Sequence, residues 1–177
     1  MSLNRSRPLR AVLVATAVAL LAGCGFHLRQ SASLPEGMKK IHLTVSGGGK
    51  LERDLSRALE NSGAEIVDKP GADSAELAVT SNTFRTDSLT VSGTARVTEY
   101  AVRYHVDFNA RAPDGTVLVP NQSVDMSREF SYDATNTIGT ASQTEELQRS
   151  LIGDMVQSIL FRLQAAGAHQ AAKPTAQ

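Results

Sequence analysis

The sequence predicts an α+β fold: a two-layer sandwich with two α-helices packed on one face of a four-stranded, mainly antiparallel sheet. Three observations predict it. Over residues 95–110 the chain alternates, with Tyr100, Val102, Tyr104, Val106, Phe108 and Ala110 on one side and Arg103, His105, Asp107 and Asn109 on the other. One apolar face and one wet face is the mark of a sheet covered on a single side. Two other segments each carry one apolar stripe at helical spacing. The elements run strand, helix, three strands, helix, with no internal repeat, and such stripes must be buried against the sheet.

The chain opens with Arg5, Arg7 and Arg10, then an apolar stretch over residues 11–22 that reaches its only cysteine in Leu21-Ala22-Gly23-Cys24. Basic start, apolar run and small-residue site make a secretory signal over residues 1–23, too short for a stable membrane span. The site resembles the lipobox of bacterial lipoproteins. That resemblance implies cleavage before Cys24, an S-diacylglycerol on its sulfur and an N-palmitoyl group on the new amino terminus. Several acyl chains anchor stably where one does not. Gly25 follows the cysteine, and by the sorting rule of such lipoproteins a residue other than Asp there directs the protein to the outer membrane.

Residues 24–37 read as the anchored tether, broken by Ser31, Ser33, Pro35 and Gly37. The domain proper is expected over residues 38–165. Residues 41–45 alternate as a half-buried strand. After the Ser46-Gly47-Gly48-Gly49 loop, Leu51, Leu55, Ala58 and Leu59 mark a helix over residues 50–62, with Gly63 placed as its left-handed cap. Residues 65–67 read as a short extended piece outside the four-strand count, before the Asp68-Lys69-Pro70-Gly71 turn. Strands follow over residues 77–88, 95–110 and 116–130. Pro113-Asp114-Gly115 forms a hairpin turn between the last two. Pro120 demotes the last strand to an edge or a bulge. A 16-residue strand reaches roughly 50 Å, which implies an elongated shape. Residues 133–140 read as a loop. A capping box, Ser142 to Glu145, then opens a helix striped by Leu147, Leu151, Ile152, Met155, Val156, Ile159, Leu160 and Leu163. Residues 166–177 read as a disordered tail.

Removal of residues 1–23 leaves 154 residues with 15 basic and 18 acidic side chains, a formal charge of −3. That balance argues against a nucleic-acid partner. No catalytic constellation stands out, so no enzyme, cofactor or metal is expected. Gly47-Gly48-Gly49-Lys50 precedes a helix, but Thr44 stands where a phosphate loop needs its first glycine and Leu51 where it needs a hydroxyl. Glu52 likewise breaks the dinucleotide pattern. His27, His42, His105 and His169 have no zinc-pair spacing, and His42 and His105 fall on wet strand faces. Glu145 and Glu146 suit a helix start. Among Arg85, Arg96, Arg103, Arg111 and Arg128, interleaved acids leave the patch near neutral. Arg85 and Arg96 flank the expected hairpin tip at residues 87–94. Arg128 falls on the apolar side of its strand, where it needs a sheet end or a local partner.

Several motifs then resemble one family in order and spacing. They are Gly23-Cys24-Gly25-Phe26-His27-Leu28-Arg29, the Thr98-Glu99-Tyr100 segment, Arg128-Glu129-Phe130-Ser131-Tyr132-Asp133, and Asp154-Met155 followed by Ile159-Leu160-Phe161-Arg162-Leu163. The chain resembles the LptE family of LPS-assembly lipoproteins. The resemblance implies two helices on a four-stranded sheet, and a lipoprotein of the outer membrane that plugs the LptD β-barrel. It implies help in assembling LptD and contact with lipopolysaccharide during delivery to the cell surface. The family often carries a lysine between the last strand and last helix, but residues 138–143 are uncharged here. The expected lipopolysaccharide contacts therefore move to Arg85 and Arg96. Two rivals make distinct demands. A freestanding, periplasm-facing lipid-binding lipoprotein needs a closed apolar cavity, and an anchored hydrolase needs a cleft with perturbed carboxylates or a Ser/His pair.

Overall fold

Apolar alternation and helical stripes find each other across one sheet. A computed structural model of the chain describes residues 34–91, 97–131 and 137–171. The elements are β1 (Lys40–Val45), α1 (Lys50–Asn61), β2 (Glu65–Val67), β3 (Ala75–Val91), β4 (Val97–Arg111), β5 (Val117–Ser131) and α2 (Thr137–Ala171). They form one five-stranded sheet in the order β2-β1-β3-β4-β5. β1 runs parallel to β2 and β3, and β3, β4 and β5 are antiparallel.

The expected four strands are thus five. β2 joins the edge through three register pairs with β1, Lys40↔Glu65, Ile41↔Ile66 and His42↔Val67. Gly63, at φ +91°, turns the chain out of α1 and lets the Ala64 N–H reach back to the Leu59 carbonyl at 3.1 Å. The Glu65 N–H then donates to the Lys39 carbonyl at 2.7 Å. Three residues are too few for alternation to show in sequence; the pairing makes the strand.

The core lies between the sheet and the helices. On β4, Val102, Tyr104, Val106, Phe108 and Ala110 are each at most 1% exposed. They meet Leu51, Leu55 and Leu59 of α1 and Leu151, Met155, Ile159 and Leu163 of α2 in one cluster. A β-bulge in β3 sets the faces of the long strands. Val79 pairs with Phe108 and Ser81 with Asp107, leaving Thr80 as the extra residue. Leu77 and Val79 face the core before it; Asn82 and Phe84 do so after it, opposite Val106 and Tyr104. Asn82 is polar on a core face, and it is satisfied there. It donates to the Ser46 carbonyl at 3.1 Å and accepts the Tyr104 hydroxyl at 2.8 Å. At β5, Pro120 serves both expected purposes: the strand is the sheet edge, and its register shifts between the pairs Phe108↔Gln122 and Ala110↔Val119.

The last helix is longer than its sequence signals. It begins at Thr137 rather than at Ser142, and the Thr144 hydroxyl donates to the Thr140 carbonyl at 2.9 Å as an interior threonine does. A capping box marks a start only where the backbone before it leaves the helix; continuation satisfies N–H groups that a start at Ser142 would orphan. At the other end residues 166–171 are helical, not part of a tail. They are alanine-rich, which favours helix, and Ala166 packs against the core. At 35 residues α2 is about 52 Å long. No helix among the described residues is long and apolar enough to cross a membrane.

Candidate functional site: the uncovered face of the long strands

Every second residue of β3, β4 and β5 points away from the helices, and cross-strand register sorts these side chains into rows. Asp87, Ala101 and Glu129 make one row; Arg85, Arg103 and Ser127 the next; then Thr83, His105 and Asp125; then Ser81, Asp107 and Ser123. The face is therefore a ladder of charges and hydroxyls three strands wide. An open groove of about 800 Å³ runs over it, lined by Thr83, Arg85, Arg103, His105, Asp125 and Ser127 with Phe84 and Met126.

Two clusters organise the ladder. In the first, the Asp87 carboxylate takes both arginines, Arg103 Nε at 2.7 Å and Arg85 Nε at 3.4 Å. In the second, His105 sits between carboxylates, with Nδ1 2.8 Å from Asp125 and Nε2 3.2 Å from Asp107. A carboxylate only accepts, so both contacts together need an imidazolium donating from both nitrogens. The bond to Asp125, and then that to Asp107, holds the His105 pKa above its ordinary value. The Ser123 hydroxyl donates to Asp107. That bond first, and His105 second, keep the Asp107 carboxyl below its ordinary value. This grouping of serine, aspartate and histidine is not a nucleophile and its base. The serine faces the carboxylate, and the imidazole lies beyond it, so His105 is not placed to take the hydroxyl proton.

The other residues singled out in the sequence fall elsewhere. Arg85 lies on the uncovered face, as a cross-strand neighbour of Arg103. Arg96 and Cys24 lie outside the described residues. Arg128 shares the helix side with Val102 and finds the local partner its position demands, Asp154 on α2 at 2.7 Å. Further along the same two elements, Arg162 of α2 donates to Gln122 of β5 at 2.8 Å. His105 is not simply solvated but clasped. His42, also expected at a wet surface, is half-buried on β1, and its Nδ1 is closed off from solvent without a hydrogen-bond partner. Burial pushes the Tyr104 hydroxyl well above its ordinary pKa, so it stays a donor to Asn82.

The glycine loop before α1 offers no phosphate cradle. Gly47, Gly48 and Gly49 all have positive φ, and the Glu52 carboxylate lies 2.9 Å from where a Gly48 Cβ would stand. A carboxylate over the loop repels an anion. Among the described residues, no group of three or more acidic, histidine or cysteine side chains is arranged to hold a metal. Sequence reasoning missed the pairing of Arg103 with Arg85 and the His105 clasp. The alternation of β4 put Arg103, His105 and Asp107 on one face, but register with β3 and β5 supplied their partners.

Comparison with known proteins places this architecture. The family model for LptE, described as lipopolysaccharide-assembly, matches residues 38–163. The chain belongs to the LptE family. The match spans all five strands, α1 and most of α2, so the uncovered face is part of the matched fold. The LPS-assembly lipoprotein LptE of Photorhabdus laumondii is 28% identical over 152 residues, which is 82% of this chain and 84% of that one. Its counterpart in Yersinia enterocolitica is 26% identical over 154 residues, covering 86% and 73%. Among solved structures, lipoprotein B from Nitrosomonas europaea matches with a TM-score of 0.67 at 24% identity, over 84% of this chain and 94% of that one. The rare lipoprotein B from Shewanella oneidensis gives 0.66 at 20%, over 75% and 98%. These two structures share the fold of this LptE-family chain: two helices on a mainly antiparallel sheet.

Proposed function

We propose that this LptE-family lipoprotein works without catalysis as a plug and assembly partner of the LptD β-barrel in the outer membrane, and helps deliver lipopolysaccharide to the cell surface. The observation that carries the reading is the uncovered face of β3, β4 and β5. It is a wide, ordered field of charges and hydroxyls backed by a complete core on its other side. A large barrel has a polar lumen, and a polar field is what its wall accepts. The role in lipopolysaccharide assembly that the Photorhabdus and Yersinia relatives carry in their names supports the same reading. In this reading residues 1–23 are removed, Cys24 bears the N-palmitoyl and S-diacylglycerol groups, and the anchor holds the protein at the periplasmic side with its domain in the lumen. Arg85 and Arg96 meet lipopolysaccharide. The freestanding lipid binder needs an enclosed apolar cavity, whereas the groove over Arg85, Arg103 and His105 is open and charged.

The test is mild-detergent extraction of outer membranes carrying a tagged copy. Recovery of a large barrel protein in a one-to-one ratio is the expected result. Recovery of the lipidated protein alone removes the plug reading. Mass spectrometry of the extracted amino-terminal peptide, in the native chain and in Cys24→Ala, reads the anchor directly.

A further inference from the structure

We infer that the outer edge of β3 over residues 83–89 is a docking surface for a second copy of this chain, paired antiparallel about a two-fold axis at Thr86; the inference goes beyond the barrel reading and stands apart from it. β1 covers only the first part of β3. Its register ends at Val45↔Val79, the Ser46 N–H donates to the Val79 carbonyl at 2.9 Å, and the Asn82 amide donates to the Ser46 carbonyl at 3.1 Å. Past Asn82 no strand among the described residues lies on that edge, while β4 continues on the other. The register with β4 runs unbroken from Ser81↔Asp107 to Ser88↔Tyr100 and shifts only after Ser88. A straight, bare edge is left between the Ser46 contact and that shift. It holds no proline and no lysine, residues that blunt an edge. Its row of unpaired N–H and C=O groups is a template for another strand.

Two independent features choose the same partner and the same register. The first is extent. Two copies that meet antiparallel with their uncovered faces on one side pair residues of equal parity, because side-chain direction repeats every two residues. The stretch from Thr83 to Leu89 is then used in full only when Thr83 faces Leu89 and Thr86 faces itself. The second is charge. The stretch has two charged residues, Arg85 and Asp87, both on the uncovered face. With Thr86 on the axis, Arg85 of each copy stands opposite Asp87 of the other. Moving the axis to Arg85 or to Asp87 sets like charges opposite one another, which destabilises the pair. The Arg85 side chain is 75% exposed, and its contact to Asp87 of its own strand is the looser one, 3.4 Å against 2.7 Å for Arg103. A threonine opposite a threonine on the axis is itself a favourable pair, and Leu89, 41% exposed, gains a neighbour in Thr83. The β5 edge has no such complement: the charges on its uncovered side, Asp125 and Glu129, are both acidic. Seven residue pairs bury little surface, so the dimer is weak and shows in concentrated protein.

The experiment uses the full mature chain, residues 24–177, with Cys24→Ala so that an introduced cysteine is the only thiol. Thr86→Cys is expected to form a disulfide-linked dimer under mild oxidation, because directly opposed Cα atoms lie about 4.5–5.5 Å apart and a disulfide accepts about 4.4–6.8 Å. Thr83→Cys, which faces Leu89 across the axis, and Ser127→Cys, on the far edge strand, are expected to link no faster than chance collision. Sedimentation equilibrium of the chain without added cysteine is expected to show monomer and dimer in exchange. Arg85→Asp sets like charges opposite one another at both ends of the pair and is expected to weaken the dimer roughly tenfold. Arg85→Asp/Asp87→Arg restores the complement and is expected to recover it, an outcome that a misfolded variant cannot imitate. Equal linking at all three cysteines, a monomer at every concentration, or a double variant no better than the single one overturns the inference. So does Thr86→Cys that, in outer membranes with Cys24 native, links to another protein and never to itself, since the edge then serves a different chain.

Discussion

On one side of β4, Val102, Tyr104, Val106, Phe108 and Ala110 are sealed beneath the helices. On the other, Arg103, His105 and Asp107 meet water through ion pairs. Both sets come from alternate residues of one strand, yet different physics holds them. The sealed side gains by removing apolar surface from water, a gain proportional to area that involves no titrating group. The open side gains little, because exposed ion pairs contribute about 0–1 kcal/mol each. Stability therefore resides on the helix side, and the open side is free to be spent on recognition. Substitutions on the two sides should separate folding from binding.

The largest effect expected is on the sealed side. Phe108→Ala leaves a cavity in the middle of the cluster and should cost about 3–5 kcal/mol in denaturant unfolding. A loss below about 1 kcal/mol would mean that the core tolerates collapse there and that the contrast between faces is weak. Tyr104→Phe is a finer probe. It keeps the ring stacked on Phe84, whose centroid is 3.9 Å away, and deletes the hydroxyl bonded to Asn82. The expected loss is about 1–2 kcal/mol, because Asn82 is left with an acceptor unmet on a core face. Full retention of stability would show that water replaces the hydroxyl and that the bulge at Thr80 does not depend on it.

The smallest effect belongs to the open side and shows in pH. The His105 pKa is raised by folding, so the clasp contributes fully below the ordinary value of 6.5 and is lost as pH rises through the raised one. Asp107 is lowered, so its contribution is present above the ordinary carboxylate value and lost as pH falls through the lowered one. The clasp is strongest in the window between. Unfolding of wild type and His105→Gln from roughly pH 5 to 8 should show curves that converge as pH rises. An NMR titration of His105 should move towards the ordinary value in Asp125→Asn. An unmoved titration would assign the raised pKa to something other than the clasp.

Much of this arrangement was legible along the chain. The strand over residues 95–110 alternates for its whole length, so its two faces and its partner helices followed from burial alone. The stripe from Leu147 to Leu163 likewise required a sheet beneath it. Pro120 announced an edge, and Arg128 on an apolar side announced a local partner, found in Asp154. The candidate site was half legible: Arg85 stood out, whereas Arg103 was one of several arginines among compensating acids.

Periodicity says which residues of a strand travel together, because side-chain direction repeats every two residues. It does not say what lies across the strand. β2 is three residues long and exists through its pairing with β1. The start of α2 at Thr137 follows from a backbone that continues through a capping motif. Above all, the extra residue at Thr80 reverses the facing of β3. Without it Arg85 would point into the core; with it Arg85 stands opposite Arg103 on the open face. Register is a property of two strands together, and the ladder of charges on this sheet is written in register.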